Sequence, residues 1–276
     1  MWNEQKTEQW TKDVGLWINA AATEDNPEGL TWMYNTLRSR LENLGFSIES
    51  YVDEDAPYRP VIVAIRQPSN PGGPFLGFFQ HYDVEPIHEK WDTDPWTMSI
   101  SNGRVIGRGI ADNIGPLAHR LIHLENLDTE IGIVMVIQGE EEIGSPWAHQ
   151  LFASLELPSV ELWLDETGYF YKDGRQRFLR VGESPLLDEI EHRIVEYNQK
   201  LGIITKVRNR YLTKAFGLEN CPCIAHLLGD KPYLAIGPND DWTRVHGPNE
   251  SISIELLSIC SAHLDIIFDI ISEVKS

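Results

Sequence analysis

Phe75-Leu76-Gly77-Phe78-Phe79-Gln80-His81-Tyr82-Asp83 is the stretch on which the fold of this 276-residue chain turns. A short apolar run leads straight into a histidine and an aspartate two positions apart. Three other runs repeat the arrangement. Ile131 to Ile137 leads to Glu140-Glu141-Glu142, and Val160 to Leu164 leads to Asp165-Glu166. Tyr233 to Ile236 leads through Gly237-Pro238 towards His246. Near-continuous apolar strands imply a sheet covered on both faces. In such sheets, sites form beyond the carboxyl ends of the strands. The polar residues that end these runs are therefore the candidate site.

The intervening segments read as helices. Trp10, Val14, Trp17 and Ile18 recur at helical spacing within 5–24, and a second helix is expected over 28–43, before Gly45. Two strands, 46–52 and 61–65, flank a turn with Pro57 and Pro60. Residues 113–127 carry Leu117, Leu121 and Leu124 at helical spacing, and there His119 and His123 read as a polar face. Ser184-Pro185 supplies a cap and a first residue for a helix that Gly202 ends. The stretch 254–274 reads as a long helix rich in Ile and Leu. Strands alternating with helices specify an α/β fold, a mostly parallel central sheet flanked by helices on both faces. With no repeat or flexible linker, residues 1–276 read as a single domain.

The balance of 23 basic against 42 acidic residues gives a net charge of −19. That excess opposes nucleic acid and anionic membranes, which demand clustered Lys and Arg. Three cysteines, Cys221, Cys223 and Cys260, are too few for a disulfide framework. Neither a signal-peptide pattern nor a spanning apolar run is visible, so a cytoplasmic location is the expectation.

A pair of catalytic metal ions needs imidazoles and carboxylates around a shared carboxylate. It also needs a carboxylate outside the ligand set to take a proton from water. His81 and Asp83 share one side of a strand, so Asp83 is placed to orient the imidazole. Asp112 follows a Gly107-Arg108-Gly109 turn. Glu141 and Glu142 are adjacent and diverge on extended backbone, so one can bind metal while the other faces substrate.

These residues sit in longer motifs. His81-Tyr82-Asp83-Val84-Glu85-Pro86 is followed by Trp91-Asp92-Thr93-Asp94-Pro95-Trp96. Then come Asn102-Gly103-Arg104-Val105-Ile106-Gly107-Arg108-Gly109-Ile110-Ala111-Asp112-Asn113, Glu141-Glu142-Ile143-Gly144-Ser145 and His246-Gly247-Pro248-Asn249-Glu250. In this order the motifs resemble those of the zinc-dependent aminoacylase, succinyl-diaminopimelate desuccinylase and glutamate carboxypeptidase family. The resemblance implies two zinc ions, with Co2+ or Mn2+ as substitutes. One ion takes His81 and Asp165, the other Glu142 and His246, and Asp112 bridges them. It makes Glu141 the general base, Asp83 the partner of His81, and the Asp112–Asn113 peptide cis.

The chain departs from that family in three places. Ile114-Gly115 stands where Lys-Gly is usual, and Phe216 to Pro222 stands where a Gly-Gly/Ser-x-Asp loop is usual. The lid or dimerisation domain inserted between the fourth and fifth ligands is absent, since only 80 residues separate Asp165 from His246. The expected reaction is hydrolysis of a small amide or peptide, with no nucleic-acid or membrane partner and the oligomeric state left open. Two alternatives stand beside it. One is a lidless aminopeptidase, with Glu166 or Glu140 holding the substrate amine. The other is a non-catalytic binding module.

Overall fold

The computed structural model describes residues 2–125, 127, 129–165, 168–209 and 224–274. Two helices open the chain, α1 (Glu4–Asn19) and α2 (Pro27–Asn43). The Asn3 side chain accepts a hydrogen bond from the Lys6 amide at 2.9 Å, and Asn26 does the same for Gly29 at 3.2 Å. These side chains satisfy amides that a helix start leaves free. Trp10, Val14, Trp17 and Ile18 form the buried stripe of α1, at the spacing read from the sequence.

The strands are β1 (Ser47–Tyr51), β2 (Val61–Arg66), β3 (Phe75–His81), β4 (Ser99–Ser101), β5 (Arg104–Ile106) and β6 (Gly132–Gln138). They continue with β7 (Leu162–Asp165), β8 (Tyr169–Phe170), β9 (Arg175–Val181) and β10 (Ile204–Asn209). The last are β11 (Tyr233–Ala235), β12 (Asn239–Asp240) and β13 (Ser251–Ser253). The remaining helices are α3 (Gly115–Glu125), α4 (Ala148–Phe152), α5 (Pro185–Lys200), α6 (Ala225–Leu228) and α7 (Ile254–Ser272).

One sheet runs β1-β2-β6-β3-β7-β11-β9-β8-β12, with β10 paired to β9. Its centre, β6-β3-β7-β11, is parallel, and antiparallel pairs lie on either side of it. A small antiparallel sheet, β13-β5-β4, stands apart. Side chains of β6 alternate between two apolar layers. Ile133, Met135 and Ile137 join the cluster that holds Trp10, Leu37, Leu121, Ile190 and Ile267. Val134 and Val136 join Phe79, Phe152, Trp163 and Leu228. The first cluster draws on α1, α2, α3, α5 and α7, the second on α4 and α6. This is the two-sided α/β layering expected from the apolar runs.

Three features differ from the sequence reading. The pairs β9–β10 and β8–β12 extend the sheet where no strand was expected. The small sheet was likewise unread. Helix α3 has no polar face: every residue from Gly115 to Leu124 is buried. His119 Nε2 and His123 Nδ1 meet instead Leu257 O (2.9 Å) and Ser261 Oγ (3.0 Å) of α7, a packing role.

Because β3 lies between β6 and β7, the chain leaves it on one side and returns on the other. The crevice at the carboxyl ends of these strands is therefore a switch point of the topology. Close packing there is tight. A Cβ on Gly77 would stand 2.5 Å from the ring of Trp163, the neighbouring residue on β7. Gly77→Ala is expected to cost about 1–3 kcal/mol through this overlap. A urea titration of the two proteins measures it.

Candidate metal centre

The end of β3 delivers His81, which is 2% exposed. Its Nδ1 lies 3.1 Å from the Asp83 carbonyl oxygen and 3.4 Å from Asp83 Oδ1. The carbonyl can only accept, so Nδ1 carries the proton and Nε2 is the nitrogen turned to the site. Nε2 meets Asp112 Oδ1 at 3.0 Å. The second oxygen of Asp112 faces another imidazole, His246 Nε2, at 3.3 Å. His246 Nε2 lies 2.9 Å from Glu142 Oε2. One carboxylate thus stands between two imidazoles, and a second flanks the outer one.

Each group is placed by its own backbone device. Asp112 sits in the Ile110–Ile114 turn, where its φ of −137° and ψ of 90° break the helical run. The Asp112–Asn113 peptide is cis, and Asn113 Nδ2 donates to the His81 carbonyl at 3.1 Å. Gly109 leads into the turn at φ +77°, and a Cβ there would lie 2.2 Å from Val84. Only glycine suits both conditions. Glu142 follows β6, and its amide donates to Asp83 Oδ2 at 2.9 Å. Asp83 therefore binds the ring of His81 and the backbone of Glu142 at once. His246 adopts φ +61° in the loop between β12 and β13.

A carboxylate outside the sequence-derived set ties these loops together. Glu250 is fully buried. Its Oε1 accepts from the amides of Ala111 (2.8 Å) and Asp112 (3.2 Å), and its Oε2 from Gly109 N (3.0 Å) and Arg108 Nη1 (2.8 Å). Arg108 Nη2 donates in turn to the His246 carbonyl at 3.0 Å. The signal was present in His246-Gly247-Pro248-Asn249-Glu250, but its function lies in contacts with residues about 140 positions away.

The remaining candidates divide. Asp165 ends β7, buried, and its Oδ2 accepts from Tyr233 OH at 2.6 Å. It falls in neither group of metal-capable atoms lying within 4.8 Å of one another among the described residues. Those groups are His81, Asp112 and Glu142, and Glu85, Glu142 and His246. Glu85 belongs to the His81–Pro86 motif and lies outside the site expected from the sequence. Glu140 does not face a substrate amine. Its Oε1 accepts from the amides of Trp147 (2.9 Å) and Ala148 (2.5 Å) at the start of α4, and Arg59 lies 3.3 Å away. Glu166, Cys221, Cys223 and the 216–222 loop lie outside the described residues.

The electrostatics follow from packing acids and imidazoles together. Burial works against the Asp112 carboxylate, yet His246 and His81 hold its pKa well below the usual range. Asp112 and Glu142 push His246 up to about 10. Burial, with the charge of Asp112, lifts Glu142 to about 7 against the pull of His246. Burial also raises Glu141, aided by Asp112, Asp83 and Asp165 and opposed by His81. The donor set suits divalent cations: two imidazole nitrogens and two carboxylates converge, and Glu142 Oε1 is buried without a hydrogen-bond partner.

Residues 77–197 match the profile of Peptidase family M20/M25/M40. The Cys-Gly metallodipeptidase dug1 of Schizosaccharomyces pombe is 28% identical over 120 residues, 41% of this chain and 25% of that protein. The Beta-Ala-His dipeptidase of Mus musculus is 30% identical over 153 residues, 46% of this chain and 31% of its own length. A succinyl-diaminopimelate desuccinylase of Zymomonas mobilis is 30% identical over 135 residues, 48% and 33%. The matched segments thus span a quarter to a third of these relatives. Among solved structures, the M20 family metallo-carboxypeptidase Sso-CP2 of Sulfolobus solfataricus superposes with a TM-score of 0.75 at 13% identity, over 96% of this chain and 100% of that one. Human carnosine dipeptidase 1 gives 0.70 at 13% identity, over 98% of each. At such identities the structures speak for the fold, and the sequence matches give a similarity confined to part of the chain. Over residues 77–197, this chain is therefore similar to Peptidase family M20/M25/M40, on a fold shared with these solved structures.

Proposed function

We propose that this chain is a metal-dependent hydrolase of small amides, cleaving a dipeptide or an N-acyl amino acid. The observation that carries the reading is the convergence of His81, Asp112, Glu142 and His246 at the switch point, with Glu141 beside them. By this reading His81 and Asp165 hold one ion, Glu142 and His246 the other, and Asp112 both. Two divalent ions, zinc as is typical of M20 enzymes, supply polarisation of the scissile carbonyl and acidification of water when bound.

The chain's own residues do the rest. Glu141 takes a proton from the attacking water on its carboxylate and returns it to the departing amine. Burial suits it to both tasks, because a raised pKa brings the acid and base forms closer in energy. Asp83 fixes the His81 tautomer and the Glu142 backbone, so the donors need not reorganise. Between Asp165 and His246, β8, β9 and β12 bond into the main sheet, and α5 buries Leu187, Ile190 and Ile194 in its core. That continuity supports a single catalytic unit without an inserted lid.

Glu141→Gln keeps the shape and removes the proton acceptor. It is expected to lower kcat by about 10^2–10^4-fold while metal content by elemental analysis stays at the parent level. Activity retained in this variant would overturn the assignment. A protein that takes up no metal would favour a binding module instead.

A further inference from the structure

We infer that Glu85 is the group that recognises a positively charged amine on the substrate. The inference rests on the hydrolase reading above and names the substrate class of that site. Glu85 follows β3 in the His81-Tyr82-Asp83-Val84-Glu85-Pro86 segment. Its carboxylate lies within 4.8 Å of the metal-capable atoms of both Glu142 and His246. Glu142 is 3% exposed, whereas Glu85 is 22% and His246 is 48% exposed. Glu85 therefore borders the pair and is itself reached by solvent.

The hydrogen-bond partner of Glu85 is His88, whose Nε2 lies 3.1 Å from Oε1 and whose side chain is 68% exposed. An exposed imidazole of this kind is readily displaced. Charge points the same way. Asp83, Glu85, Asp112, Glu141, Glu142 and Asp165 bring six negative charges, and two divalent ions would return four, leaving two in excess. Two basic side chains of this region are already engaged, Arg108 with Glu250 and Arg104 with Asp240. An ammonium group offers three donors and one positive charge, which fits a rim carboxylate better than an acylated nitrogen does. Its contact to a surface histidine sets Glu85 apart from His81, Asp112, Glu142 and His246, which contact one another.

The test compares leucine hydroxamate with N-acetyl-leucine hydroxamate on the zinc-loaded protein, by titration calorimetry. The free-amine form is expected to bind about tenfold tighter. In Glu85→Gln, the ratio of the two Kd values is expected to collapse to within about twofold, with unchanged zinc content. Equal affinities in the parent, or a ratio unchanged in the variant, would overturn the inference. So would zinc lost from the variant, which would make Glu85 a ligand. These readouts are binding and metal content. If the parent hydrolyses neither dipeptides nor acylated amino acids, the hydrolase reading fails, and the Kd ratio still decides the role of Glu85.

Discussion

Glu250→Ala is expected to lower folding stability by about 3–5 kcal/mol, the cost of leaving a buried charge unpaired. Arg108 is 2% exposed, and Glu250 is its carboxylate partner, at 2.8 Å. Removing that carboxylate strands the guanidinium in the interior together with the amides of Gly109, Ala111 and Asp112. Alanine also leaves a hole where those four donors converged. A second consequence separates this from an ordinary core defect. The same clamp holds the turn that carries Asp112 and, through Arg108, the loop that carries His246. Zinc affinity should therefore fall with stability, by about tenfold or more, as it does when groups that orient ligands are lost. Glu250→Gln retains one acceptor oxygen for the turn amides and should recover part of both losses. Urea unfolding of the metal-free proteins gives the first quantity, and competition with a chromophoric chelator gives the second. A loss below 1 kcal/mol in the alanine variant would show that the clamp carries little of the fold.

How much of this was legible in the sequence depends on what each residue's neighbours are. Strands β3, β6, β7 and β11 announce themselves because the sheet is covered on both faces, and only apolar residues fit there. The candidate site was legible for the same reason, as polar residues interrupt those runs only at strand ends. Strands β9 and β10 were not legible. In β9 the inward positions include Gln176 and Arg180, both buried. Gln176 Oε1 accepts from Asn198 at 2.6 Å, and Arg180 pairs with Asp188 and Glu191 at 2.8 and 2.7 Å. Helix α5 supplies all three partners, so a polar strand face became a satisfied interior, which an apolar template cannot detect. Glu140 misled the reading in the opposite sense. An acidic run suggests solvent or substrate, but a carboxylate at a helix start has two amides to satisfy. For Glu250 the sequence supplied the residue and withheld its task.

Acid should unfold this protein through its buried histidines. His119, His123 and His263 are each 3% exposed or less, and burial pushes each of them down to about 3. Like charge nearby adds to this for His119 (His123) and for His123 (Lys6). The sign follows from proton counting. In the unfolded chain an imidazole titrates near 6.5, so below that pH the unfolded state binds protons that the native state refuses. Stability is therefore fully present above about pH 6.5 and falls as the pH drops towards 3, by up to about 1.4 kcal/mol per pH unit for each histidine. Between pH 7 and 5 each contributes a loss of about 2 kcal/mol, and the three together about 6, a large share of the 5–15 kcal/mol typical of a folded protein. The raised carboxylates, Glu142 at about 7 and Glu250, work in the opposite sense, since they favour proton uptake by the native state. A single variant isolates the histidine contribution from theirs. The His263 Nε2 donates to Asn198 Oδ1 at 2.8 Å, and Asn198 Nδ2 reaches Gln176 and Thr205 at 2.6 and 2.7 Å. Glutamine at 263 can keep that donor while removing the titration. His263→Gln is expected to lose about 1.4 kcal/mol per pH unit from the slope of stability against pH between 6 and 4. Urea unfolding at half-unit pH intervals on the metal-free proteins measures the two slopes. Parallel slopes would mean that His263 takes up its proton without leaving the core.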